Sequence, residues 1–124
     1  TDRVLVDCAH NGDGAGRLAE YLRGLPLLPE SRTLLFGVSE DKDARSLVVP
    51  LSPLFDRVMT TQCAHPRSLS AGELAERLVD IDTPVLASGC IEDALPRALE
   101  KSGMVVVAGS VFLAGAVRDI IGMK

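Results

Sequence analysis

The residues best suited to chemistry stand close to the start of the chain, as Asp7-Cys8-Ala9-His10-Asn11. They follow the short apolar run Val4-Leu5-Val6 and precede a glycine cluster, Gly12-Asp13-Gly14-Ala15-Gly16, that opens a helical pattern. In open α/β sheets, ligands bind outside the carboxyl ends of the strands, where strand gives way to helix. A carboxylate, an imidazole and an amide delivered together at such an edge form a candidate polar binding site, supplying both acceptors and donors. Further polar groups follow later apolar runs: Asp41, Lys42 and Asp43; His65 and Arg67; Ser88; and Ser110. Each has a purely structural reading, as a turn aspartate, a satisfied histidine or a helix cap. Their arrival at one edge is what raises them above those readings.

Several enzyme classes are excluded by motif. No G-x-x-x-x-G-K-[ST] run exists, so this stretch carries no P-loop. Gly12-x-Gly14-x-Gly16 places its third glycine one position too early for a dinucleotide fingerprint. A phospho-receiver domain would need a lysine where Gly109-Ser110 stands, and the G-x-S-x-G elbow of serine hydrolases is missing. The three cysteines, Cys8, Cys63 and Cys90, form no C-x-x-C pair, which suits a reducing, cytoplasmic setting. Cys-Ala-His occurs twice, at Cys8 to His10 and at Cys63 to His65. C-x-H is not the usual zinc spacing, so no metal site is assigned.

The elements that must position these groups follow from apolar spacing. Strands are expected over residues 3–7, 33–38, 56–61, 84–87 and 104–108. The third, with only Val58 and Met59 apolar, is placed near an edge or facing solvent on one side. A first helix over 13–23 carries Ala15, Leu18, Ala19 and Leu22 at i, i+3, i+4, i+7. Asp43 is expected to cap a short helix with Ala44, Leu47 and Val48 inward. Ser70 and Glu73 should form a capping box ahead of Ala71, Leu74, Ala75 and Leu78. Asp93 is the expected N-cap of the next helix, which puts Pro96 in its first turn where no N–H is needed. The closing helix should turn Leu113, Val117, Ile120 and Ile121 inward. Strands alternating with helices in this way make a parallel α/β sheet, and right-handed crossovers bring every strand-to-helix loop to one edge.

The 124 residues suit one domain, spanning 1–124, with a core filled by aliphatic side chains. A net charge of −4 with no basic stripe argues against nucleic acid. No run approaches the roughly 18 apolar residues of a membrane span. The chain opens on Thr1 rather than Met, which reads as a piece of a longer polypeptide.

Asp7-Cys8-Ala9-His10-Asn11 resembles the D-G-A-H-N-P signature that opens the C-terminal domain of folylpolyglutamate and dihydrofolate synthases. Phe36-Gly37 with Asp41-Lys42-Asp43 resembles that family's second strand and D-K-D turn. Phe55-Asp56-Arg57-Val58 and Pro66-Arg67-Ser68 follow in the expected order. Gly109-Ser110-Val111-Phe112-Leu113-Ala114-Gly115, then Val117-Arg118, is similar to the family's G-S-L-Y-L-V-G ending. Cys8, Gly12 and Phe112 depart from the usual glycine, proline and tyrosine. The wider family is the muramyl-type amide ligases, whose cell-wall members share a D-x-A-H segment.

The resemblance implies a Rossmann-like, mostly parallel sheet of five to six strands with helices on both faces. It implies a C-terminal domain that closes over ATP and supplies a glutamate site. A P-loop domain of the same polypeptide would hold ATP phosphates and magnesium and would phosphorylate a folate or dihydropteroate carboxylate. L-glutamate would then attack the acyl phosphate. By position, Asp7 is implied to hold the ATP ribose. His10, the implied catalytic residue, is expected with Ser110 to contact glutamate, and Asn11, Lys42 and Arg67 are secondary candidates. A muramyl ligase domain and a free-standing nucleotide- or metabolite-binding module are the alternatives.

Overall fold

The computed structural model describes residues 4–7, 12–25, 31–62 and 66–122. Five strands and five helices alternate: β1 (Val4–Val6), α1 (Gly12–Arg23), β2 (Arg32–Phe36), α2 (Ala44–Val48), β3 (Arg57–Gln62), α3 (Ala71–Arg77), β4 (Val85–Cys90), α4 (Ile91–Lys101), β5 (Met104–Ala108) and α5 (Val111–Ile120). The strands form one sheet in the order β1-β5-β2-β3-β4, and every pair is parallel. The continuous apolar runs of β2 and β5 explain their central place, because a parallel strand is covered on both faces. Leu34, Phe36, Val106 and Ala108 join α1, α2 and α3 in one core cluster, whereas Leu35, Met59, Val105 and Val107 join α4 and α5 in a second. The sheet is therefore sandwiched, as expected.

Local signals place most helices where the spacing put them. Ala15, Leu18, Ala19 and Leu22 are all buried on α1. The Asp43 carboxylate accepts from the Ser46 backbone N–H at 3.3 Å and caps α2, with Ala44, Leu47 and Val48 buried. At α3 the Glu73 N–H donates to Ser70 Oγ at 3.2 Å and the Ser70 N–H donates back to Glu73 Oε1 at 3.4 Å, closing the capping box. Leu113 and Val117 of α5 are buried. Ile120, expected inward, is exposed, because the helix ends there and Ile121 packs on the second cluster instead.

Two expectations are corrected. β3 lies one strand in from the edge, between β2 and β4, which fits a place near an edge, but it does not face solvent, since Val58, Met59, Thr60 and Thr61 are buried. The threonines enter the core because their hydroxyls are satisfied. Thr60 Oγ1 donates to the Ala71 carbonyl at 2.7 Å and Thr61 Oγ1 to the Gly89 carbonyl at 2.8 Å, which removes the cost of burying a lone hydroxyl. The edge strand on this side of the sheet is β4, with Leu86 exposed. It runs on to Cys90, past Ser88-Gly89, with a register shift between Thr60 and Gln62.

The second correction is α4, which starts at Ile91 with Cys90 as N-cap, so Pro96 stands inside the helix. Starting there sets Ile91, Ala94, Leu95 and Ala98 at i, i+3, i+4, i+7, all buried against the second cluster. Burying Ile91 and Leu95 contributes about 1.5–3 kcal/mol each, which outweighs the roughly 3 kcal/mol cost of an interior proline. Pro96 itself is exposed and gives up only its own helical bond. Pro96→Ala should restore an N–H toward the Glu92 carbonyl and raise the unfolding free energy by about 1–3 kcal/mol. Urea denaturation measures this, and an unchanged or lower midpoint would contradict the account of α4.

Candidate functional site

Because every strand is parallel, all five carboxyl ends share one edge. The helices leaving β1 and β5 go to opposite faces, α1 to the first cluster and α5 to the second. Those two strands are neighbours, so a crevice opens between their ends at the topological switch point. Asp7 stands at one lip. Its backbone N–H donates to the Val107 carbonyl at 2.9 Å, which carries the β1–β5 ladder one step past the strand. Ser110 stands at the other lip, buried, two residues beyond β5. Its Oγ accepts from the Phe112 backbone N–H at 3.1 Å and caps α5.

Two glycines shape the floor of this edge. Gly109 adopts φ +114, where only glycine is unstrained, and a Cβ there would overlap the Gly37 carbonyl oxygen. A Cβ on Gly37 would in turn lie 2.8 Å from the Thr61 carbonyl. The ends of β5, β2 and β3 are thus packed backbone against backbone. The signal was in the sequence, since each glycine directly follows an apolar run, but its meaning depended on knowing that β5 and β2 are partners.

Lys42 and Arg67 come together in a second group, over β2 and β3. Ser39 and Ser68 form an antiparallel bridge, the Leu69 N–H donates to the Val38 carbonyl at 3.0 Å, and the Glu40 N–H donates to the Arg67 carbonyl at 2.7 Å. Arg67 Nε lies 3.5 Å from Glu40 Oε1, an exposed pair. Ser39 Oγ donates to Asp41 Oδ1 at 2.6 Å. That hydroxyl is the main reason the Asp41 carboxyl is held below its ordinary pKa, with Arg67 and Lys42 adding to it. Asp43, by contrast, is committed to its cap. Ser88 sits within β4 rather than at a strand end. It is buried, and its hydroxyl has no partner among the described residues. His10 and Asn11, with Cys8, Cys63 and His65, lie outside the described residues. Among those described, no three His, Cys, Asp or Glu side chains gather as a metal site.

The fold and this edge define a class: a parallel α/β domain with polar residues presented at a switch-point crevice. The Mur ligase glutamate ligase domain matches residues 2–111, and the chain belongs to that family. It is 32% identical to a dihydrofolate synthase/folylpolyglutamate synthase of Mycobacterium tuberculosis, over 96% of this chain and 28% of that protein. A crystal structure of the Mycobacterium tuberculosis folylpolyglutamate synthase complexed with ADP and AMPPCP superposes with a TM-score of 0.88 at 29% identity, covering 98% of this chain and 30% of that one. A folylpolyglutamate synthase of Thermotoga maritima gives 0.75 at 30% identity, covering 94% of this chain and 27% of that one. The chain therefore spans less than a third of the length of these relatives.

Two outcomes test the geometry. Gly109→Ala should lose about 3 kcal/mol or more of unfolding free energy, from strain at positive φ and overlap with Gly37. Denaturation at the original midpoint would refute the close approach. Ser39→Ala should return the Asp41 pKa upward toward the ordinary carboxylate range in a carbon-detected NMR titration. Since the folded pKa is depressed, Asp41 favours the folded turn above its unfolded pKa, and that contribution fades as pH falls through the folded value. An Asp41 pKa unmoved by Ser39→Ala would show that the hydroxyl is not the cause.

Proposed function

We propose that this chain is the C-terminal domain of an ATP-dependent amide ligase that adds L-glutamate to a folate or dihydropteroate. The observation that carries the proposal is that Asp7 and Ser110 follow the carboxyl ends of the adjacent strands β1 and β5, at the switch point, in a chain of the glutamate ligase family. The names of the relatives favour the folate branch over the muramyl branch. In this reading ATP activates the substrate carboxylate as an acyl phosphate. The amine of glutamate attacks that carbonyl, the C–O bond to phosphate breaks, inorganic phosphate leaves, and an amide remains.

Each site residue has a defined task. Asp7, half-buried at the end of β1, accepts hydrogen bonds from the ribose hydroxyls of ATP. Ser110 and His10 contact the incoming glutamate, His10 as the catalytic group. The start of α5 next to Ser110 favours an anion. Lys42 and Arg67 adjust charge at the cleft, and Asn11 is a further polar contact beside His10. Magnesium belongs with the ATP phosphates on an N-terminal P-loop domain of the same polypeptide. Closure of the two domains would align amine and acyl phosphate and keep out water. The ligase works in the cytoplasm, and among the described residues no helix is long and apolar enough to cross a membrane.

The test follows phosphate release by the full-length ligase with ATP, magnesium and L-glutamate, offering dihydropteroate, tetrahydrofolate and a muramyl peptide precursor in turn. Glutamate-dependent release with a pteroate or folate is the expected result. Asp7→Asn should raise the KM for ATP about tenfold, and Ser110→Gly should raise the KM for glutamate by a similar factor, as befits one lost hydrogen bond to a charged ligand. Glycine is chosen because it leaves the cap of α5 within a few tenths of a kcal/mol. Release only with the muramyl precursor would move the chain to the cell-wall branch, and release with none would end the ligase reading.

A further inference from the structure

Away from the crevice, the sheet ends on a strand that is open along one side. β4 is the last strand in the order β1-β5-β2-β3-β4, and among the described residues no strand pairs with its outer edge. Its inner edge is taken by β3. The Val58 N–H donates to the Pro84 carbonyl at 2.8 Å, and Val58 is in register with Val85. In a parallel ladder alternate residues turn their backbone groups to the same neighbour. Pro84 and Leu86 therefore bond toward β3, while Val85 and Ala87 each turn an N–H and a C=O outward. A bulge ends this run, since the steps from Ala87 to Cys90 oppose the shorter span from Thr60 to Gln62. Edge strands are commonly blunted by a charge or a proline within the strand. Val85–Cys90 contains neither, and Leu86 is 45% exposed.

We propose that this edge pairs with an extended basic segment of another polypeptide, added to the sheet as a further strand. The charge around β4 selects that partner. α3 and α4 both pack against β4. Residues 71–97, which hold α3, β4 and the start of α4, contain six acids against two cations, Arg77 and Arg97, so this stretch carries as much net negative charge as the whole chain. Asp80 is compensated by Arg45 at 2.9 Å. Hydrogen bonds from Ser70 to Glu73 and from the Cys90 thiol to Asp93 come from neutral donors and leave those carboxylates charged. Asp82 and Glu92, both exposed, bracket the strand just before its start and just after its end. A strand with cations at both ends meets an acid at each.

A second copy of this chain does not fit the same edge. Antiparallel pairing of β4 with its twin, centred on Ala87, sets Asp82 of each copy opposite Glu92 of the other. Parallel pairing in register sets each acid opposite itself. Like charges directly opposed are destabilising, and an acidic partner fails for the same reason. The edge is also separate from the crevice, because β2 and β3 stand between β4 and β5. The inference does not draw on the ligase reading, so either can fail without the other.

The test titrates a fluorescent, end-blocked peptide with the full-length protein and follows anisotropy. The peptide has about eleven residues, enough to span β4 and its flanks, with two lysines at each end and valine alternating with threonine between them. It should bind about tenfold more tightly than the same peptide with glutamates in place of the lysines, and that difference should shrink as salt rises. Hydrogen exchange at the Val85 and Ala87 amides should slow when the peptide is bound. Ala87→Pro should weaken binding about fivefold, because it removes an outward N–H and spares the β3 ladder. Urea denaturation of that variant shows whether the sheet is intact. Asp82→Asn combined with Glu92→Gln alters no backbone group and should weaken binding by a similar factor, about fivefold, which keeps the proposal testable if the proline variant does not fold. Equal binding of the two peptides, exchange protection elsewhere in the chain, or full affinity in a folded Ala87→Pro protein would overturn the proposal. So would self-association of the protein that Ala87→Pro abolishes, since that assigns the edge to a second copy.

Discussion

The structure depends on the contact between two backbones, at Gly109 and Gly37. β5 is the last strand in the chain, yet it enters between the first two, β1 and β2. Its end can lie beside β2 only if no side chain stands between them, and Gly109 at positive φ meets that condition. Bringing β5 there sets Ser110 next to Asp7. Without that approach the crevice would have one lip instead of two.

Stability and chemistry are divided between the two ends of the sheet. At the amino end, the Arg57 guanidinium donates to Thr33 Oγ1 at 2.9 Å and Ser102 Oγ at 2.7 Å, and the Asp56 carboxylate accepts from the Arg32 N–H at 2.7 Å. Thr33 and Ser102 also bond each other. These contacts tie together the starts of β2, β3 and β5, and all but the exposed Asp56–Arg32 bond are buried or half-buried, where satisfied polar groups add rigidity. At the carboxyl end the loops are more exposed and charges pair between neighbouring loops, as with Arg67 and Glu40. Such surface pairs add little stability, so their place at the ligand edge is free to follow function. The anchored amino end holds the strands that present the carboxyl loops.

The same division explains why acids and bases alternate so closely between residues 40 and 45. Asp41 and Asp43 each turn a carboxylate back onto the local chain, one to Ser39 and one to the start of α2. They shape the loop and are consumed by it. Lys42, between them, lines a cavity with Arg45 and Arg77.

Local physics made much of this legible from the residues alone. The 3.6-residue stripe of α1, the Asp43 cap and the Ser70–Glu73 capping box are short-range features, and each was readable because its partners lie within a few positions. The alternation of strands and helices was enough to send Asp7, Lys42, Arg67 and Ser110 to one edge, since parallel strands leave no other arrangement. The order of the strands was not legible, because pairing joins residues far apart and no periodicity encodes the neighbour. That is why β3 read as open to solvent on one side. Its buried threonines find acceptors only in Ala71 and Gly89, contributed by other elements. It is also why α4 read as starting at Asp93, since helix rules weigh Pro96 while the core weighs Ile91. The sequence by itself determined the elements, their caps and the edge where polar groups gather. Only the tertiary structure decided that β5 sits beside β1, which makes a crevice of Asp7 and Ser110, because that choice is settled by close packing of distant backbone.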